Sequence, residues 1–416
     1  MKPLKKVLNN GVRVVLTRVP SASVGICILI GTGSRSEDPK INGISHFLEH
    51  LVFKGTRNFP TQVMISEAVE GVGGILNAFT STSVTAFWAK TTPDHFGDCF
   101  EVLSDLVLDP LFRQESIESE KGVIIEEIRM KNDNPADEVM ELAQRSLWGG
   151  RGLGLPVLGS EKTIKGLVRD DIVSYHRSHY VAANTVISIA GDFPKLAMAT
   201  IRKRFGHLPK ALVNKNPTPL SGVGAVLTKR KKTSQIHVAF NFPTFPFQSS
   251  SRYALEVISS LLGNGMSSRL FLNVRDKGLA YAVHCFDEFY VDAGAFFTYA
   301  GLERERLPLA VKTILGEFRR VSLEKVSSEE LEKAKEKIRG PLIFSLEDPL
   351  KVAENFGYEE AVFGVLQNPR EYLSKVSGVK KEEIQKLSRE IFSIKNLSFA
   401  AISPLTKNYF LDLLKF

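Results

Sequence analysis

The feature that most constrains this chain is that much of it is written twice. Ile164-Lys165-Gly166-Leu167-Val168-Arg169-Asp170-Asp171-Ile172 recurs as Val376-Ser377-Gly378-Val379-Lys380-Lys381-Glu382-Glu383-Ile384, 212 residues later. At the same offset Asn184-Thr185-Val186-Ile187-Ser188-Ile189 matches Asn396-Leu397-Ser398-Phe399-Ala400-Ala401, and Asn134-Pro135 and Asp348-Pro349 follow at nearly the same spacing. Each half reads as strands, then helices, then a helix feeding a last strand: an α+β domain present twice. Short alternating strands beside long helices predict an antiparallel sheet covered by helices in each copy. The Pro-containing stretch from Pro209 to Gly222 predicts a linker, so the expected domains are 1–208 and 223–416, joined by 209–222.

Composition narrows the class of protein. The 416 residues, 43% of them apolar and 24% charged, are ordinary for a globular chain with ample core. A net charge of +8 is mild at this length and is not gathered into a nucleic-acid-like stripe. The one dense basic run, Lys229-Arg230-Lys231-Lys232, reads as an exposed loop. Cys27, Cys99 and Cys285 are odd in number and far apart, which fits a reducing compartment and not a disulfide framework. The N-terminal residues lack a long apolar core, and the densest apolar run, Val24 to Ile30, is far below the ~20 residues that span a bilayer. No nucleic-acid or membrane partner is expected, and a cytoplasmic location is, with a trimmed organellar form as the alternative.

The chemistry is concentrated in His46-Phe47-Leu48-Glu49-His50. Histidines four apart share one helix face and can bind one metal ion. Glu49 stands one residue before the second histidine, where it can reach a metal-bound water without ligating the metal. Zinc lowers the pKa of such a water towards neutrality, and the carboxylate takes the proton as a carbonyl is attacked. The order is the inverse of the commoner H-E-x-x-H zinc peptidase motif. Apolar Phe47, Leu48, Leu51, Val52 and Phe53 make this a largely buried helix, and buried imidazoles need partners.

A catalytic zinc usually takes a third protein ligand and leaves one position open. Residues Ile117 to Ile128 read as a helix in which Glu120 and Glu127 share a face two turns apart, while Glu126 points about 100° away. Glu127 could thus ligate the metal, with Glu120 orienting it or a histidine from behind.

The motif from His46 to His50, its continuation Leu51-Val52-Phe53-Lys54-Gly55-Thr56, and the Glu120…Glu127 helix, with Glu127 about 77 residues past His50, resemble the pitrilysin-type zinc metallopeptidases. The likeness spans essentially the whole chain and leans towards the short processing-peptidase branch. It implies one zinc per chain on His46, His50 and Glu127, Glu49 as general base, Glu120 as supporting carboxylate, and peptide as substrate. The segment of the second half matching the zinc helix, Val257 to Leu262, carries neither histidine nor glutamate. There the resemblance implies an arginine and a tyrosine, Arg275 and Tyr281, that hold substrate or the oxyanion, although one residue fewer separates them here than is usual. It also implies that Asn77, Ala78 and Phe79 lie on an edge strand pairing with extended peptide. Where the family usually shows a glutamate after that strand, this chain has Ser81, Thr82 and Ser83.

A chain of two domains supplies half of the chamber such enzymes use, which implies a homodimer or one subunit of a heterodimer. A catalytically silent scaffold of the same fold is the rival expectation. The remaining histidines, His176 and His179 among them, read as surface or core residues.

Overall fold

The computed structural model describes residues 2–211, 213 and 224–415; the expected linker 209–222 therefore falls mostly outside the described residues. Two compact units emerge, and both are assembled from separated stretches of chain. The first takes in 1–128, 155–217 and 343–369; the second takes in 129–154, 218–342 and 370–416. Each unit thus draws on both sides of the linker.

The first unit is built on a six-stranded sheet in the order β1-β2-β6-β3-β5-β4. Its strands are β1 (Leu4–Val7), β2 (Arg13–Arg18), β3 (Val24–Ile30), β4 (Ile75–Thr80), β5 (Thr85–Thr91) and β6 (Thr185–Gly191). All pairings are antiparallel except β2 with β6, where the chain returns after a long helical excursion. β3 is buried along its whole length, as its uninterrupted apolar run demands, and β4 is an edge.

One face of this sheet packs on a core that includes Phe47 and Leu48 of the helix Ile44–Val52. The other face is covered by the helix Pro349–Tyr358, whose Val352, Ala353 and Phe356 bury Val15, Cys27, Leu29, Ala86 and Val186. Gly25 is required at this contact, because a Cβ there would stand 2.5 Å from Leu350 Cα.

The second unit repeats the plan with β7 (Val226–Arg230), β8 (Ile236–Thr244), β9 (Ala280–Phe289), β10 (Gly294–Leu302) and β11 (Ser398–Ser403), in the order β7-β11-β8-β10-β9. Here β11 with β7 is the parallel pair, and β7 and β9 are the edges. One face of this sheet is covered by the helix Pro135–Trp148, through Val139, Ala143, Leu147 and Trp148.

The repeat read from sequence is therefore a repeat of structure. Helix Arg169–His179 has its counterpart in Lys381–Ile391, both ends displaced by 212 residues. The two Asx-Pro dipeptides open equivalent helices: Asn134 and Asp348 each accept a hydrogen bond from the backbone N–H two residues on, with proline as first helical residue. Each of these helices covers a sheet whose strands come mainly from the other half of the chain. Lys229 and Lys231 of the basic run both pair with Glu138 in the second unit. Among the described residues, no helix is long and apolar enough to cross a membrane.

Candidate metal centre

The helix Ile44–Val52 carries the H-x-x-E-H residues, and its start is determined by two devices. Gly43 adopts a left-handed conformation (φ +98°) that a side chain would strain. Glu37, only 6% exposed, then reaches the helix from outside. Its Oε2 accepts from Gly43 N at 2.7 Å and its Oε1 from Ser45 N at 2.8 Å, while Asn42 Nδ2 donates to Oε2 at 2.7 Å. A carboxylate thereby satisfies amides at the positive end of the helix dipole. Burial raises the Glu37 pKa overall, against the opposing pull of these hydrogen bonds. Ser45 Oγ adds a 2.8 Å bond to the Tyr175 hydroxyl, which also meets Thr32 Oγ1 at 3.0 Å.

With its start held, the helix places His46 and His50 side by side, ring centroids 4.6 Å apart. The helix Gln114–Asp133 brings Glu127 to both: its Oε1 is 3.7 Å from His46 Nε2 and its Oε2 is 3.7 Å from His50 Nε2. One donor atom from each of the three residues lies within 4.8 Å of the other two, the one such group among the described residues. Tetrahedral zinc with bonds of ~2.1 Å separates its ligands by roughly 3.4 Å, and the two Glu127–histidine distances of 3.7 Å stand within a few tenths of an ångström of that spacing.

Charge agrees with geometry. Three carboxylates, Glu49, Glu120 and Glu127, act on His50, against the single ammonium of Lys54 on Glu120, which is the imbalance a divalent cation corrects.

Glu120, 2% exposed, lies behind His50. Its Oε1 is 2.8 Å from His50 Nδ1 and its Oε2 is 2.7 Å from Lys54 Nζ. Burial would raise the Glu120 pKa, but the bonds from His50 and Lys54 outweigh it and hold the carboxyl below its ordinary value. An ionised Glu120 must receive the Nδ1 proton of His50, which leaves Nε2 as the ligating nitrogen. Burial likewise works against a charged His50, yet the bond to Glu120 and the charges of Glu49, Glu120 and Glu127 raise its pKa overall.

Glu49 points from the same helix to the strand β4, where Thr80 Oγ1 donates to its Oε2 at 2.5 Å. Burial raises the Glu49 pKa most; the Thr80 bond and His50 oppose this, and Glu127 adds to it. A carboxyl tuned upward beside a group of residues that could hold a metal ion suits proton transfer.

Two family models match the chain: Insulinase (Peptidase family M16) over residues 13–161, and Peptidase M16 inactive domain over residues 166–338. An uncharacterized zinc protease of Bacillus subtilis is 36% identical over 400 residues, covering 95% of this chain and 97% of its own. The chain belongs to peptidase family M16. An uncharacterized zinc protease of Streptomyces coelicolor is 31% identical, with 96% and 89% covered. In fold, the chain is similar to a protease from Helicobacter pylori (TM-score 0.89, 24% identity, 97% of this chain and 100% of that one). It is similar also to a peptidase M16 inactive domain from Pseudomonas fluorescens (TM-score 0.90, 17% identity, 98% and 99% covered).

As a member of the M16 family the chain has a second half of different character. Arg275 and Tyr281 lie in the second unit, Tyr281 on the edge strand β9 and 73% exposed. Arg275 Nε is 3.4 Å from the Tyr281 carbonyl, and its guanidinium lies 4.8 Å from the centre of the Phe271 ring.

In the first unit Asn77, Ala78 and Phe79 are indeed on an edge strand, but they alternate. Ala78 faces the core under the His46 helix, whereas Phe79 lies against the opposite core and Asn77 shares its side. Asn77 Oδ1 accepts from its neighbour Ala78 N at 2.8 Å. His176 and His179 are structural: the first bonds Val107 O at 2.9 Å, the second Tyr175 O at 3.0 Å.

Two contributors to the site escape a reading of the motif. Glu37 lies outside the helix it caps, and its only signal is an acidic residue shortly before a helix start. Thr80 is a strand residue whose partner is set by tertiary packing.

Proposed function

We propose that this chain is a zinc-dependent endopeptidase that hydrolyses peptides bound in extended conformation. The observation carrying this reading is the convergence of His46, His50 and Glu127 on one point, backed by Glu120 and flanked by Glu49. Those three residues would hold one zinc per chain, which when bound supplies a Lewis acid and a water of lowered pKa. Glu49 accepts the proton of the attacking water and returns it to the leaving amine. Glu120 keeps His50 in the ligating tautomer. The free edge of β4 offers main-chain groups to an extended peptide, with Ala78 beneath it and Asn77 and Phe79 on the far face. A silent scaffold would have no use for this complete set of donors.

In this proposal Tyr281, with Arg275 beside it, serves the oxyanion at the site of a partner protomer in a homodimer. Mixing Glu49→Gln protomers with Tyr281→Phe protomers then regains about 25% of wild-type activity, since half the dimers are mixed and each has one intact site. A mixture as inactive as its parts, with mixed dimers confirmed by mass, would refute the shared site.

The proposal itself is tested by metal content and turnover. Glu127→Gln is expected to lose most of its zinc, and Glu126→Gln to keep it. Glu49→Gln is expected to keep both zinc and peptide while turnover falls by roughly 100-fold or more. Near wild-type cleavage by Glu49→Gln would overturn the base assignment.

A further inference from the structure

The strand that offers its edge to a peptide ends on the hydroxyl that grips the proposed base. Alternation along β4 sets this up. Leu76 and Ala78 pack on the core beneath the His46 helix, so Thr80, two residues further on, must face the same way. There its Oγ1 meets Glu49 Oε2 at 2.5 Å. The turn that follows is closed by its own bonds, Ser81 N to Val84 O at 2.8 Å and Val84 N to Ser81 Oγ at 3.1 Å. It is also tied to the chain before the zinc helix, through Arg35 N to Thr82 O at 3.0 Å. Thr80 is β-branched and restricted about χ1, so its hydroxyl is held at both backbone and side chain.

We infer that Thr80 is the positioning residue of the base: it engages one oxygen of Glu49, holds the carboxylate off the metal position, and leaves the other oxygen to the attacking water. A peptide pairing with β4 would order the same strand, giving substrate occupancy a direct mechanical route to the base. The inference rests on the assignment of Glu49 as base, and concerns kcat without involving ligand supply.

The test compares Thr80→Val, which keeps the shape and loses the donor, with Thr80→Ser, which keeps the donor. Thr80→Val is expected to retain one zinc per chain, the wild-type KM and the wild-type Tm, with kcat lower by about 10- to 100-fold, the usual effect of losing a hydrogen bond to a charged group. Thr80→Ser is expected within about threefold of wild type. Thr80→Ala, which removes the branch as well, should follow Val in kcat. Wild-type kcat in Thr80→Val would overturn the inference, and so would equal losses in Val and Ser accompanied by lost zinc or Tm. Glu49→Gln measured in parallel separates the two levels. If it is inactive while Thr80→Val is fully active, only the role of Thr80 fails; if Glu49→Gln itself is active, the base assignment and this inference fall together.

Discussion

His50 Nδ1 and Glu120 Oε1 are 2.8 Å apart, and Lys54 grips the other oxygen of the same carboxylate at 2.7 Å. The lysine keeps Glu120 ionised, the ionised carboxylate orders the imidazole, and the imidazole presents Nε2 to the metal position. Glu120→Gln preserves volume but can turn an NH2 towards a ring nitrogen that needs an acceptor. Zinc affinity, measured by competition with a chelator, is expected to fall about 10- to 100-fold, with the fold intact by circular dichroism. Unchanged affinity would mean that Glu120 only neutralises Lys54.

Glu37 makes a second, independent claim on the same helix. Its two oxygens accept from Gly43 N, Ser45 N and Asn42 Nδ2, all donors. In Glu37→Gln one accepting oxygen becomes a donor facing donors. The expected cost is about 1–3 kcal/mol of stability, read as lower Tm, together with weaker zinc binding because His46 is in the first turn of the helix. A Gln variant as stable and as zinc-avid as wild type would show that Gly43 alone suffices to start the helix.

How far the site was legible depended on sequence distance. His46 and His50 are four apart and Glu120 and Glu127 seven apart, so helical periodicity alone puts each pair on one face. Which helices meet is a tertiary matter, and the known shape of the motif supplied it. The 212-residue repeat gave the order of elements, down to the ends of Arg169–His179 and Lys381–Ile391. The sheets carry one parallel pair each because the last strand of each half returns beside an early one, β6 beside β2 and β11 beside β7, which local alternation cannot reveal. Nor could it reveal which sheet the helices opened by Asn134-Pro135 and Asp348-Pro349 would cover. Their caps are local and readable, but their packing partners lie hundreds of residues away. Asn77 illustrates the same limit: the strand was foreseen, but not that its side chain lies on the face away from the zinc helix.

A pH dependence is built into the second unit. Glu256, on the helix Arg252–Gly263, has its pKa raised to about 8, first by burial and then by the charge of Asp287; the Tyr372 hydroxyl and Arg252 oppose the shift. Asp287 on β9 is raised to about 6, again chiefly by burial, against a hydrogen bond from Ser259. A raised carboxyl holds its proton in the folded state after the unfolded chain has lost it. Stability from Glu256 is thus full below its ordinary value of 4.5 and is lost as pH climbs towards about 8. Glu256→Gln has no proton to lose and can still accept from Tyr372. Its Tm should therefore fall less than that of wild type between about pH 5 and pH 8, by about 2 °C or more. Parallel Tm curves would remove Glu256 from the account.

The covering of the first sheet by Pro349–Tyr358 can be tested at one atom. A Cβ on Gly25 would stand 2.5 Å from Leu350 Cα, 2.6 Å from Leu350 N and 2.7 Å from Pro349 C, all of them backbone that cannot rotate away. Gly25→Ala therefore has to push the helix off the sheet and loosen Val352, Ala353 and Phe356 from Cys27 and Leu29. The expected cost is about 1–3 kcal/mol or more, visible as a lower Tm and earlier proteolysis near residue 350. Gly122 provides the opposite case. It lies in the helix Gln114–Asp133 between Glu120 and Glu127, exposed, with nothing within 4 Å of its would-be Cβ. Gly122→Ala should stabilise by about 0.5–1 kcal/mol, because alanine loses less freedom in a helix than glycine. If Gly25→Ala were as harmless as Gly122→Ala, the helix could not be seated against β3 as described.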